Sequence, residues 1–142
     1  MKNFLLLIIL FSVPLTSDAQ NLERGELVKV LSPTKIKVQA HGSKKHFDLE
    51  LKGVSSKGLS ANQINKAKKF LEYKTKNQVL IWTTEGKLSE VKIGGVKDLS
   101  KEMLEWGLLK TLETKEESPY VKSQAIGKLR KEGIWSKSPS GK

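Results

Sequence analysis

The 142-residue chain has no cysteine. Disulfide bonds and lipid attachment through an N-terminal cysteine are therefore both excluded, and an exported form must be held together by its core. Arginine is scarce: Arg24 and Arg130 are the only two among 26 basic residues. Bidentate phosphate recognition favours arginine, whereas lysine acts as a point charge. His41 and His46 are the only histidines, and without cysteine or a carboxylate cluster beside them they make a poor metal site and read as surface residues. No aromatic residue is interleaved with the lysine-rich strands, so stacking platforms for bases are missing there. Nothing resembles a nucleophile beside its base, a phosphate-binding glycine loop, an internal repeat or a low-complexity segment.

Apolar runs are short as well. The longest, Phe4 to Val13, falls short of the roughly 20 residues a membrane span needs. Lys2 precedes it, and Pro14 and then Ser17-Asp18-Ala19 follow. A positive start, a short apolar run and small residues are the pattern of a secretory signal peptide over residues 1–19, cleaved after Ala19. An uncleaved anchor is the alternative reading of the same run. Export, to the periplasm or the medium, is the expected localisation. The remaining chain of about 120 residues suffices for one core, and one domain is expected over residues 20–135, with a loose polar tail at residues 136–142.

Positive charge is present in excess. The formal net charge is +11 and the pI is near 9.8. Nucleic acid or another polyanion is the obvious class of partner. A merely solubilising lysine surface is the bland alternative, and it leaves room for a role in protein interaction.

Hydrophobic periodicity orders the chain. Gly25–Leu31 reads as a strand and Ser32-Pro33-Thr34 as a turn. Lys35–Gln39 alternates with Ile36 and Val38 inward. After a turn at His41–Lys45, Phe47, Leu49 and Leu51 share one strand face, and Asp48, Glu50 and Lys52 the other. Ser60 is placed to cap a helix with Ile64, Ala67, Phe70 and Leu71 on one side, ending near Lys74. Gln78–Trp82 is nearly all apolar and reads as a strand covered on both faces; Leu88–Ile93 is the fifth strand. Ser100 is the expected cap of a helix that stops at Gly107. Ser118-Pro119 opens the last helix, whose expected inner stripe is Tyr120, Ala125, Ile126 and Leu129, with Gly133 closing it. Trp82, Trp106 and Trp135 read as core and helix-end anchors. Three strands, a helix and two strands is the order of an OB-type barrel. The expected class is α+β, dominated by a five-stranded OB-fold barrel with three helices.

The stretch HFDLELKGVSSKG, His46 to Gly58, resembles the third strand and following loop of the staphylococcal nuclease (thermonuclease-like) family, where the pattern runs R-L-x-G-I/V-D-x-P-E. GELVKVLSPTKIKV resembles that family's opening hairpin, ANQINKAKKFLEYKTKNQVLIW its helix and fourth strand, DLSKEMLEWGLLK its second helix, and QAIGKLRKEGIW its closing helix. The resemblance implies the barrel, and a site where one Ca²⁺ sits between carboxylates, a glutamate stands near the attacking water and two arginines hold the phosphate. The scaffold positions Leu49, Leu51, Gly53 and Val54 match, whereas the chemical positions do not. Thr34 stands where the first metal aspartate belongs, and Ser55 where the second does. The base glutamate falls on or beside Gly58, and the first arginine on Glu50. The loop of the second arginine is shortened to Glu85-Gly86-Lys87, with Lys87 the nearest substitute. The nucleotide-stacking tyrosines fall near Glu113 and Lys115. The implied protein is an exported, catalytically degenerate barrel that needs no cofactor, is monomeric and binds nucleic acid or another polyanion through Lys35, Lys37, Lys44, Lys45, Lys52, Lys57 and Lys87. The alternatives are a secreted Ca²⁺-dependent nuclease and a protein-interaction module of the cell envelope.

Overall fold

The computed structural model describes residues 22–136. The expected signal peptide, and the expected tail apart from Ser136, lie outside the described residues. Strand β1 spans Glu23–Ser32, β2 Lys35–Ala40 and β3 His46–Leu51. They form an antiparallel meander in which Lys35 faces Glu50 and Gln39 faces His46 across β2–β3. Helix α1 spans Ala61–Thr75, followed by β4 at Leu80–Glu85, β5 at Leu88–Ile93 and a two-residue β6 at Lys97–Asp98. The strand order is β3-β2-β1-β4-β5-β6. A parallel pairing of Glu50 with Leu88 and of Leu51 with Ser89 closes the first five strands into a barrel. Among the described residues the architecture is thus a closed five-stranded, OB-like α+β barrel with three α-helices, and α1 lies between β3 and β4 in chain order. No helix among the described residues is long and apolar enough to cross a membrane.

Alternation carries the core. Ile36, Val38, Leu49 and Leu51 point inward from the hairpin, and Leu80, Trp82 and Val91 from β4 and β5. Ala67 and Leu71 of α1 are fully buried among them. Helix α1 begins with a full capping box: Gln63 N–H donates to the Ser60 hydroxyl, and the Gln63 side chain accepts from Ser60 N–H. Gly53, with φ +81°, turns the chain out of β3 directly under the ring of Tyr120, leaving no room for a Cβ.

Three local expectations are corrected. The fourth strand starts at Leu80 instead of Gln78, and only one of its faces is deeply buried: Val79, just before it, is 42% exposed. An apolar run does not by itself distinguish a strand covered on one face from one covered on both. Helix α2, Leu99–Glu105, is capped by Asp98, whose carboxylate accepts from Lys101 N–H at 3.0 Å. Ser100 lies inside the helix, buried. Helix α3, Pro119–Arg130, buries Tyr120, Ser123 and Gly127, while Ala125, Ile126 and Leu129 are exposed. After Tyr120 the buried positions are small because α3 lies close against α2: a Cβ on Gly127 would strike the Leu104 carbonyl. A short 3₁₀ turn, Gly133–Trp135, ends the described chain. Glu102 of α2 is buried and sits 3.5 Å from Lys97 and 3.9 Å from Lys74, tying α2 to α1.

Asp98 is the buried acid with a measurable signature. Its Oδ1 caps α2, while its Oδ2 is buried without a hydrogen-bond partner. Burial pushes its carboxyl above the ordinary 3.8, against the pull of the Lys101 N–H and ammonium. The ionised form is therefore less favourable in the folded chain than in the unfolded one. Asp98 contributes most to stability below its unfolded pKa and loses that contribution as pH rises through its raised folded value. Asp98→Asn keeps an oxygen for the cap. Its stability relative to wild type, read by urea titration, is expected to improve as pH rises from about 3 to about 6. A difference that stays constant over that range would contradict the desolvated carboxyl.

Candidate functional site

Beyond the two pairs that close the barrel, β3 and the β4–β5 hairpin diverge. The gap is a cleft of about 620 Å³. Lys35, Asp48 and Glu50 line one side, and Thr84, Lys87 and Ser89 the other. Phe47 and Trp82 also line it, with ring centroids 6.5 Å apart. Aromatic surface therefore does reach this cleft. Phe47 stands on β3, but its position on the inward face hid it among core residues, and Trp82 is only 2% exposed. At the rear, the Thr84 and Ser89 hydroxyls lie 2.8 Å apart and share a hydrogen bond.

The β1–β2 turn, the end of β3 and the start of β5 meet at one end of this cleft. Thr34 Oγ1 donates to Glu50 Oε1 at 2.8 Å. The Leu51 N–H donates to the Thr34 carbonyl, and the Lys52 N–H to the Ser89 carbonyl. Thr34, Lys35, Glu50 and Lys87, separated in sequence, are thus neighbours in the fold. Ser55 and Gly58 do not line the cleft. The Ser55 backbone exchanges two hydrogen bonds with Lys110, its hydroxyl accepts from Lys57 N–H at 3.2 Å, and Gly58 is exposed.

The seven lysines fall into four groups. Lys37 lies 3.8 Å from Asp48, and Lys52 lies 3.4 Å from Glu85, so both have carboxylate partners. Lys35 and Lys87 line the cleft, but Glu23, Asp48 and Glu50 line it too, and its own side chains are not net positive. Lys44 and Lys45 sit at the far turn of the β2–β3 hairpin. Four register steps separate the Lys35 and Gln39 ends, about 13 Å along the strand. Lys57 is exposed on the loop after β3. The fold gathers Lys35 and Lys87 in the cleft and spreads the others around it. Register accounts for the pairing of Lys37, which stands opposite Asp48.

Both histidines are exposed, and His41 lies 3.7 Å from Glu26. No group of three or more histidine or acidic side chains among the described residues is arranged to hold a metal ion. Trp106 caps α2 with Arg130 over its ring at 5.5 Å, and Trp135 carries the Lys128 ammonium at 4.8 Å.

The Thr34–Glu50 hydrogen bond holds the hairpin turn to β3. Thr34→Val removes the donor, Glu50→Ala removes the acceptor and its charge, and the double variant removes both. Bonds to charged acceptors contribute about 1.5–3 kcal/mol when sheltered; with both groups half-buried, a coupling of about 1 kcal/mol is expected from the double-mutant cycle. Strictly additive variants would show that the bond is not made in solution.

Comparison of the sequence with protein-family models and with curated proteins finds no match.

Proposed function

We propose that this chain is a staphylococcal-nuclease-like barrel, exported from the cell, that binds nucleic acid or a similar polyanion without cleaving it. The observation that carries this reading is the Thr34–Glu50 hydrogen bond at 2.8 Å. The resemblance aligns these two positions with a metal carboxylate and a phosphate-binding arginine, and here a neutral hydroxyl serves a carboxylate. A phosphoryl group approaching Glu50 meets negative charge where the reaction needs positive charge. The supporting geometry is the OB-like barrel and the meeting of Thr34, Glu50 and Lys87 at one end of the cleft. Polyanion binding is supported by the net charge of +11 and by Lys35, Lys44, Lys45, Lys57 and Lys87, none of which has a carboxylate within 4 Å among the described residues. Such a field attracts phosphates without reading sequence.

Fluorescence anisotropy with single-stranded DNA and RNA of mixed sequence tests the reading, with a cleavage assay run beside it in calcium and in chelator. Binding is expected at low salt for every sequence. It should weaken steeply as salt rises, each neutralised phosphate adding about 0.7 to the log–log slope, and the strands should stay intact. Chelator-sensitive cleavage would overturn the non-catalytic half of the reading. Binding that is absent, or indifferent to salt, would overturn the polyanion half.

A further inference from the structure

A second groove lies between β1 and α1. Strand β1 pairs with β2 from Gly25 to Ser32, but with β4 only through Glu23, Arg24 and Gly25. Gly25 makes the crossing: a Cβ there would strike the Gln39 carbonyl and come within 2.9 Å of the Trp82 ring. Past Gly25 no strand pairs with the second edge of β1 among the described residues. That edge faces α1 across a groove of about 590 Å³, within the range of ligand clefts. Leu27, Val28 and Val30 line its strand side, and Val28 is 42% exposed.

The rim is basic. Lys29 stands on β1, Lys68 and Lys69 on α1, and Lys76 just beyond the helix end. None of the four has a carboxylate within 4 Å among the described residues. Glu26 and Glu72 also line the groove, and Glu26 already lies 3.7 Å from His41. The occupant must therefore be anionic. A second copy of this chain would bring the same lysines against each other. No aromatic side chain among the described residues lines the groove, so bases would find no stacking surface. An open strand edge with aliphatic side chains suits an extended main chain instead. Register shifts at Leu27/Lys29 and Val30/Ser32 interrupt the β1 ladder. Irregular, lysine-bearing edges resist indiscriminate pairing, which limits the added strand to a few residues and leaves charge to select it.

We propose that the β1–α1 groove docks an extended acidic peptide, which adds to the open edge of β1 between Leu27 and Val30 and meets Lys29, Lys68, Lys69 and Lys76. This surface is separate from the barrel cleft and does not rest on the polyanion reading.

The test uses the full chain, isotopically labelled, with three probes: a fluorescent ten-residue peptide alternating glutamate and valine, the same peptide with two central prolines, and oligothymidylate. The alternating peptide is expected to bind at low salt and to shift the amide signals of Leu27 to Val30. Proline should abolish binding, since it removes main-chain donors and breaks extended pairing. Lys68→Glu with Lys69→Glu should weaken binding about tenfold or more, while Lys115→Glu with Lys122→Glu, away from the groove, should leave it unchanged. Absence of peptide binding overturns the proposal. So does equal binding of the proline peptide, or displacement of the peptide by oligothymidylate from the same amides, because each marks a surface that reads charge alone. Oligonucleotide binding that leaves the β1 amides unmoved supports two separate surfaces, and its loss leaves the peptide result standing.

Discussion

Two residue pairs close this barrel, Glu50 with Leu88 and Leu51 with Ser89. Much of the fold depends on that short seam. It is reinforced by Leu51 N–H donating to the Thr34 carbonyl and Lys52 N–H donating to the Ser89 carbonyl, so the first hairpin turn, the end of β3 and the start of β5 are bonded at one place. Leu51, 1% exposed, fixes the seam to the core. A closed sheet has no long free edges there. Where the seam stops, the strands part, and the cleft lined by Phe47 and Lys87 begins. The location of a surface able to receive a ligand thus follows from how few residues pair.

The parts of the fold legible in sequence are those that repeat. Ile36 and Val38 against Lys35 and Lys37, and Leu49 and Leu51 against Asp48 and Glu50, state which face is inside, and the structure buries the faces so marked. Ser60 states where α1 begins. What was illegible depends on distance in the chain. Ser100 and Asp98 are both good caps; Asp98 wins because β6 pairs Lys97 and Asp98 with β5 and so delivers the chain into the helix at that residue. Helix α3 carries Ile126 and Leu129 on an exposed side because close approach to α2 selects Ser123 and Gly127 for the contact. A hydrophobic stripe marks the buried face only where the neighbour leaves room for large side chains.

Charge followed the same division. Composition alone identified a strongly basic chain, and alternation put lysines on the wet faces of β2 and β3. Their pairing needed the register. Lys37 stands opposite Asp48 and Lys35 opposite Glu50, so the strand face that looks basic along one strand is mixed across two. The lysines of α1 have a different fate. Lys68 and Lys69 face an aliphatic strand edge without an acid within 4 Å among the described residues. In sequence they are ordinary solvent-side helix residues, and only the departure of β1 from β4 after Gly25 gives them a groove to border.

That contrast bears on how one small basic barrel could discriminate among anions. A cleft with mixed charge, where Phe47 is partly buried and Trp82 almost wholly so, offers a ligand little ring surface beside its charges. A groove with lysines, aliphatic side chains and an open strand edge rewards one that brings main-chain donors and acceptors. Long-range attraction from a net charge of +11 acts on both ligands equally, so it sets encounter rates and leaves selection to short-range geometry. The selective terms are local: at the cleft Lys35 and Lys87 share the lining with Glu23, Asp48 and Glu50, while at the groove Lys29, Lys68, Lys69 and Lys76 share it with Glu26 and Glu72. The balance of charge thus differs between the two surfaces, and the difference traces to which strands the sequence allows to pair.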